Sequence, residues 1–140
     1  MKLILDYNTW RCGGDSIITK YDDGSNSSFT TINNTNKLGE GNTALLNDQG
    51  YMCCLGQFSP QLNSNVKMEH MEGIGEPNDL QVEIPLLTEL FHYDEMSDTK
   101  LSTDAININD DYITTPEEKI VLLKELFAKA HCEIEVINLP

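Results

Sequence analysis

The chain has 140 residues, of which 39% are hydrophobic and 23% are charged, and its formal net charge is −14. This length and this balance predict one folded domain and exclude wholesale disorder. So large an acidic excess repels nucleic acid and anionic membranes, and we therefore expect no direct binding to either.

The N-terminal apolar run is too short for a secretion signal, because the three residues Leu3–Leu5 are followed at once by Asp6. No stretch of the sequence approaches the ~18 apolar residues of a membrane span. We therefore expect a cytoplasmic protein. In that reducing compartment the cysteines are expected to be thiols. The four cysteines are Cys12, Cys53, Cys54 and Cys132.

The first twelve residues favour β-structure. The apolar run Lys2–Leu5 predicts a buried strand, and residues 7–12 continue with the β-favouring Tyr, Thr and Trp. Trp10, the only tryptophan, is expected to anchor the core rather than to serve as a stacking platform. Arg11, the only arginine, fits an internal ion pair as well as it fits a bidentate clamp for a carboxylate or phosphate.

A polar region follows this β-favouring start. Residues 16–21 are rich in β-branched and aromatic side chains and predict a strand, which ends at the Asp-Asp-Gly sequence of residues 22–24. From about residue 22 to residue 37 Ser, Thr and Asn dominate the sequence. This composition predicts a polar loop or an exposed hairpin.

Residues 38–58 contain the densest collection of apolar residues, glycines and cysteines in the chain, and we place them at the centre of the core. The turn signal Asn47–Gly50 separates two apolar runs within this region. Residues 44–58 therefore predict either a hairpin or a strand that turns into a short buried helix.

A glycine-rich turn precedes this unit, and backbone amides in such a turn can cradle a phosphate. Its residues of interest are Gly39, Gly41 and Asn42. No Gly-Lys-Ser/Thr sequence follows, and Glu40 would repel a phosphate, so a plain turn is favoured. As an alternative, the turn would combine with Trp10 and Arg11 to bind a small nucleotide.

The signals in the next part of the chain are weaker. Ser59 followed by Pro60 predicts the start of a helix or a turn, and proline suits the first helical position after a serine cap. Leu80–Ile84 alternates loosely between apolar and polar residues and predicts a strand that ends at Pro85.

Residues 101–111 give a mixed pattern. They predict a capped helical turn followed by a more strand-like segment, in which Ile106 and Ile108 alternate with asparagines. The acidic end of this region, residues 107–111, resembles a calcium-binding loop only in part, since the glycine and the glutamate that such a loop requires are missing. We therefore expect no metal site here.

The negative charge is concentrated in the acidic segment, by which we mean residues 69–118. This segment carries fourteen acidic residues and a single base, Lys100, whereas the rest of the chain is nearly balanced. An acidic block of this size attracts and steers a basic partner, with strong salt dependence. The candidate partner-binding residues are Asp94, Glu95, Asp98, Asp110 and Asp111.

The clearest element is a helix near the C-terminus. Thr115–Glu118 is a capping box that predicts a helix over about residues 116–130, and Lys119 lies outside its apolar face. The apolar face consists of Ile120, Leu123, Leu126, Phe127 and Ala130. Residues 132–137 alternate strictly and predict a closing strand. We therefore predict a single α+β domain, in which this helix packs on a mixed or antiparallel sheet.

No catalytic or metal-binding pattern stands out in the sequence. A nucleophilic cysteine needs a base, and none of the three histidines stands in a recognisable arrangement with a thiol. The paired cysteine or histidine spacing of a zinc site is also absent. We expect no cofactor, no metal and no enzymatic activity. A thiol-dependent enzyme that uses Cys53 or Cys54 is the alternative.

Two motifs, Trp10–Gly13 and Leu45–Gly56, resemble a pattern in small proteins encoded by tailed phages and prophages. The resemblance continues through Ile108–Asp111 and the C-terminal helix and strand. It implies no particular activity and no functional residue. It does imply a setting, the bacterial host cytosol, in which such proteins often act on host or defence machinery.

The charge and the resemblance together lead to one functional expectation. The protein is expected to be a non-enzymatic accessory protein that binds and inhibits a host or anti-phage defence protein through an acidic surface. The alternative is a protein that sequesters a nucleotide signalling molecule. The sequence leaves the oligomeric state open.

Overall fold

The computed structural model describes residues 1–13, 17–18, 31–32, 38–94, 97–111 and 113–140. Its strands and helices confirm the α+β class in a single small domain. The strands are β1 (Lys2–Asp6), β2 (Ile17–Ile18), β3 (Thr31–Ile32), β4 (Leu90–Asp94), β5 (Ser97–Lys100) and β6 (Glu133–Ile137). The helices are α1 (Cys54–Leu62), α2 (Met68–Met71), α3 (Pro85–Thr88), α4 (Leu101–Asp110) and α5 (Pro116–Ala128), with a 3-10 helix at Pro77–Asp79.

The two ends of the described chain pair with each other. β1 and β6 form a parallel two-stranded sheet, whose register sets Leu3 beside Ile134 and Leu5 beside Val136. These side chains face the core, whereas the alternate residues of both strands lie on the outer face. Parallel strands need a long crossover connection, and here the sequence between β1 and β6 supplies it.

The other strands form short antiparallel pairs, β2 with β3 and β4 with β5. The described strands thus form three separate two-stranded sheets, where the sequence predicted one mixed or antiparallel sheet. β2 lies inside the strand predicted over residues 16–21. The rest of that prediction, and most of the polar loop predicted over about residues 22–37, lie outside the described residues.

The C-terminal helix confirms the sequence prediction most closely. α5 begins at Pro116, and the hydroxyl of Thr115 accepts the Glu118 amide at 3.2 Å, as a capping residue should. The predicted apolar face is buried, and the ring of Phe127 packs edge-to-face on Phe58 of α1, with ring centroids 5.1 Å apart. The helix ends slightly earlier than predicted.

Residues 44–58 contain the short buried helix of the prediction but neither a strand nor a regular hairpin, since only isolated bridges at Leu46 and Met52 precede the helix. The turn at Asn47–Gly50 is present, and α1 begins soon after it, at Cys54. The predicted helix start at Ser59–Pro60 is wrong, since both residues lie inside α1. No side chain caps the helix at its N-terminus, and its first two turns are buried in the core. Tertiary packing, rather than a local cap, therefore determines where α1 begins.

The strand predicted over Leu80–Ile84 is also wrong. These residues are irregular, and Pro85 begins the single turn of α3. Ile84 is buried and anchors the chain to the core, while its polar neighbour Glu83 points to solvent. The alternation in the sequence reflects this anchoring and not the pleat of a strand.

Residues 101–110 form one continuous helix, α4, instead of a turn followed by a strand-like segment. Its buried positions Leu101, Ala105 and Asn109 are one helical turn apart and face the core. Because the third of them is polar, the apolar period of the helix is concealed in the sequence. None of the described helices is long and apolar enough to cross a membrane.

Candidate functional site

A buried polar centre lies where α4 meets the N-terminal segment. The amide side chain of Asn109 is fully buried there. Its Oδ1 accepts the indole Nε1–H of Trp10 at 2.7 Å and the backbone amide of Cys54 at 3.0 Å. Its Nδ2 donates to the carbonyl of Arg11 at 3.1 Å and to the carboxylate of Asp110 at 2.9 Å. All four hydrogen-bonding positions of the amide are therefore used.

Arg11 is fully buried in the same centre. Its guanidinium donates to the carbonyls of Cys12, Gly13 and Gly41 at 2.8, 2.6 and 2.8 Å. Trp10 is equally buried. The structure thus places two of the residues proposed for a nucleotide site in the interior, where their polar groups bind the protein itself.

The glycine-rich turn is folded inward against this centre. Gly39 and Gly41 have φ angles of +85° and +82°, which residues other than glycine rarely adopt. The side-chain amide of Asn47 donates to the carbonyls of Glu40 and Asn42 at 2.6 and 2.8 Å. A phosphate cradle needs converging backbone amides, whereas here the carbonyls converge on donors from the protein. This geometry favours the plain turn.

The proposed ligand-binding residues do not share one cavity. Gly39 lines a concavity of about 460 Å³ beside Tyr51. Asn42 lines a separate concavity of about 470 Å³, to which Asp48 and Glu72 contribute carboxylates. Carboxylates repel the phosphates of a nucleotide, so the second concavity is electrostatically unsuited to that ligand.

Lys119 is a second buried cation of the polar centre, although the sequence analysis placed it outside the apolar face of α5. Its Nζ donates to the backbone carbonyl of Asn109 at 2.8 Å, and the side chain is fully buried. Burial lowers the pKa of Lys119, while Cys12, Asp111 and Asp110 act in the opposite direction. Sequence reasoning missed it because a lysine beside an apolar stripe normally reaches solvent.

All four cysteines are buried free thiols. Burial raises the pKa of Cys12 to about 11 and the pKa of Cys53 to about 12, and it raises the pKa of Cys54 well above the usual value. Only the thiolate is an effective nucleophile, so these thiols are inert near neutral pH. The arrangement favours a packing role over thiol-dependent catalysis.

Two of the five carboxylates proposed for partner binding stabilise the end of α4. Asp110 accepts the hydrogen bond from the Asn109 side chain. Asp111 accepts the Thr114 hydroxyl at 2.5 Å and the Ile113 amide at 2.9 Å. The hydrogen bond from Thr114 is the main reason why the pKa of Asp111 lies below its usual value. Both carboxylates are half-buried, so they present less charge to a partner than the sequence suggests.

The other three proposed carboxylates lie at the β4–β5 pair. Asp94 ends β4 and pairs with Ser97, while Asp98 of β5 pairs with His92 across the two strands. Glu95 lies outside the described residues. The antiparallel pairing brings the backbones of Asp94 and Asp98 close together.

An exposed acidic region lies earlier in the chain, at residues 69–89, which we call the acidic stretch. It carries six carboxylates and no lysine or arginine. All six are exposed: Glu69, Glu72, Glu76, Asp79, Glu83 and Glu89. Among the residues that the structure describes, none of these carboxylates forms an ion pair with a base. Such exposed and unneutralised charge is what an electrostatic docking surface requires.

Four buried side chains attach the acidic stretch to the core. They are Met71, Pro77, Ile84 and Leu87. Met71 ends α2, Pro77 begins the 3-10 helix and Leu87 lies in α3, so that acidic residues alternate with anchored ones along the chain. The sequence places this stretch inside the acidic segment 69–118, but its carboxylates were not among the candidates because they are spread out, whereas the pairs at residues 94–95 and 110–111 are adjacent. The spacing of apolar anchors among acids was the signal that could have identified it.

No metal centre forms within the described ranges, where no three histidine, cysteine or carboxylate side chains come together to hold an ion. No protein-family model, no curated protein and no solved structure matches the chain. The functional assignment therefore depends on the geometry of the chain's own residues.

Proposed function

We propose that the chain is a non-enzymatic binding protein that engages a basic surface of a partner protein through the acidic stretch, residues 69–89. The observation that carries this proposal is the set of six exposed carboxylates without a neutralising base in the described structure. Like charges held together repel one another and weaken the folded state. A basic partner supplies the opposite charge and relieves that repulsion.

The anchoring of the stretch supports the same proposal. Buried side chains such as Met71 and Leu87 hold the backbone of the stretch against the core, so the backbone that carries the carboxylates is in place before a partner binds. A surface that is ordered in advance loses less conformational entropy on binding than a flexible one. The stretch is therefore better suited to specific docking than a disordered acidic tail.

The buried thiols and cations give the alternatives less support. A thiol-dependent enzyme needs an accessible thiolate, whereas burial raises the pKa of Cys53 to about 12. A protein that sequesters a nucleotide needs accessible donors, whereas Arg11 and Trp10 donate to protein atoms in the interior. Neither arrangement offers reactive or ligand-binding groups to solvent.

The resemblance to phage and prophage proteins suggests which partners to test first. Bacterial host and defence proteins with basic, nucleic-acid-binding surfaces offer the complementary charge. An acidic protein bound to such a surface competes with nucleic acid for the same cations. Inhibition by occlusion is therefore the mode of action that we propose.

The proposal is tested by capturing partners from a bacterial lysate at low and high salt. We expect a basic protein to bind the wild type at low salt and to be released at high salt, because screening weakens exposed ion pairs. The double variant Glu72→Gln with Glu76→Gln should bind that partner about fivefold more weakly, since each exposed ion pair contributes on the order of 0.5 kcal/mol.

The matched control is the double variant Glu40→Gln with Glu125→Gln, which removes the same charge from exposed positions outside the acidic stretch. It should bind the partner nearly as well as the wild type. Equal weakening in both double variants would mean that only net charge matters. Unchanged binding in both would remove the acidic stretch from the contact.

A further inference from the structure

The two edges of the β1–β6 sheet differ in their hydrogen bonding. The amide of Glu133 donates to the carbonyl of Met1 at 2.8 Å, and the carbonyl of Ile137 accepts the amide of Tyr7 at 3.0 Å. Residues 133, 135 and 137 therefore direct their backbone groups toward β1. Because this direction alternates along a strand, residues 134 and 136 direct theirs to the opposite, outer edge of β6.

The outer edge of β1 is closed by two glutamines of α1. Gln61 accepts the amide of Ile4 and donates to its carbonyl, both at 2.8 Å. Gln57 makes the same two bonds with Asp6, both at 3.3 Å. Two side chains one helical turn apart thus match two strand residues that face the same edge. The glutamines satisfy this edge as a neighbouring strand would.

The outer edge of β6 has no such closure. In the described part of the chain, no residue donates to or accepts from the backbone amides and carbonyls of Ile134 and Val136 at this edge. The strand pairs with β1 on one side and packs against α5 through its core face. A row of unpaired backbone groups on an edge strand is a template for another strand.

We propose that an extended segment of a partner protein, with basic residues at alternate positions, adds to the outer edge of β6 as a third strand. In this mode the backbone groups of Ile134 and Val136 supply the hydrogen bonds, and side chains on the outer face supply the selectivity. This contact is separate from the acidic stretch and does not depend on it.

The side chains of β6 select for basic residues in the added strand. Glu133 and Glu135 both lie exposed on the outer face of the sheet. Lys2 of β1 pairs with Glu135 at 3.5 Å from one side. A strand added on the other side places its own side chains about 5 Å from these glutamates, where opposite charges stabilise the pairing and like charges destabilise it.

A second copy of this chain is a poorer occupant. A symmetric antiparallel pair that used both Ile134 and Val136 would set Glu135 directly opposite the same residue of the other copy. Like charges in that position are destabilising, and each copy brings a net charge of −14. The charge of the edge therefore favours a basic segment over self-association.

The test uses a capped peptide of alternating lysine and valine as the probe, with the isotopically labelled full chain observed by NMR. We expect the peptide to shift the amide resonances of Ile134 and Val136 and to slow their hydrogen exchange. A glutamate–valine peptide should bind at least about tenfold more weakly, because like charges then face each other. A lysine peptide N-methylated on its pairing edge should also lose binding, because it cannot donate to β6.

A pair of charge variants completes the test. The variant Glu133→Lys with Glu135→Lys should prefer the glutamate peptide, whereas the matched variant Glu40→Lys with Glu125→Lys should keep the wild-type preference. Unmoved resonances at Ile134 and Val136, or equal binding of the N-methylated peptide, would overturn the proposal. Shifts that depend only on protein concentration would overturn it in favour of a second copy. None of these outcomes bears on the acidic stretch, which is tested with a different ligand.

Discussion

The buried polar centre and the acidic stretch handle charge in opposite ways. In the centre, Arg11 and Lys119 are fully buried, and backbone carbonyls accept their hydrogen bonds. In the stretch, carboxylates such as Glu72 and Glu76 are exposed, and none has a described base to pair with. The positive charges of the first region hold the fold together, whereas the negative charges of the second face outward.

This difference separates a structural role from an interaction role. Removing a partner from the buried centre leaves other buried polar groups unsatisfied, which lowers the free energy of unfolding. Removing a carboxylate from the acidic stretch leaves no buried group without a partner. We therefore expect the two regions to respond differently to substitution.

The largest effect is expected at Asn109. The substitution Asn109→Ala leaves the Trp10 indole N–H and the Cys54 amide without their acceptor in the core. We expect the free energy of unfolding to fall by about 3 kcal/mol, because each buried unsatisfied group costs about 1–3 kcal/mol. Chemical denaturation followed by tryptophan fluorescence measures this loss.

Asn107→Ala is the matched control, because Asn107 lies on the same helix but is exposed. It should change the free energy of unfolding by less than about 0.5 kcal/mol. If the two alanine variants were equally stable, the polar centre would not hold the fold together. The buried polar centre would then contribute no more to stability than an exposed position does.

The centre also shows why part of the fold was not predictable from the sequence. The local sequence predicts α5, since Thr115 caps the helix and Pro116 begins it. The local sequence does not predict α4, because Asn109 occupies a buried position where an apolar residue would have completed the helical period. Pro60 was misleading for a related reason, since the packing of α1 in the core overrides the local preference of proline.

The candidate site was predictable to a similar extent. The concentration of acids in residues 69–118 is visible in the sequence, and it directed attention to an acidic surface. Which carboxylates are exposed depends on tertiary packing, so Asp110 and Asp111 were chosen although both bond to the end of α4. The burial of Lys119 and the parallel pairing of β1 with β6 arise from contacts distant in sequence, which no local pattern shows.

The second effect is an alkaline loss of stability. Thiols ionise near pH 9 in the unfolded chain, whereas burial raises the pKa of Cys12 to about 11 and that of Cys53 to about 12. The folded state then holds more protons than the unfolded state, so stability falls as pH rises above 9. We expect these two thiols together to lower the free energy of unfolding by about 1.5 kcal/mol by pH 9.5, measured by denaturation at each pH.

Two variants sharpen this pH dependence. Cys53→Ala should reduce the alkaline loss, because it removes one of the thiols with a raised pKa. Lys119→Met should make the loss steeper. Burial lowers the pKa of Lys119, so the unfolded state binds a proton at this residue more readily than the folded state does. Taken by itself, Lys119 therefore makes the folded state more stable as the pH rises toward about 10.5, and this partly offsets the loss from the thiols. A pH profile identical in all three proteins would contradict the buried state of these groups.

The smallest effect on stability is expected in the acidic stretch. The variant Glu72→Gln with Glu76→Gln should change the free energy of unfolding by less than about 0.5 kcal/mol, because exposed charges contribute little to the fold. At low salt we expect a slight gain, since the substitutions relieve repulsion between like charges. A loss of more than about 1 kcal/mol would show that these carboxylates stabilise the fold.

The most direct test of the contrast measures two quantities on this same double variant. At low salt we compare its Kd for the captured basic partner, and its free energy of unfolding, with those of the wild type. We expect a Kd about fivefold higher than that of the wild type, with an unchanged free energy of unfolding. An unchanged Kd, or a weaker Kd accompanied by an equal loss of stability, would contradict the claim that the acidic stretch is a docking surface.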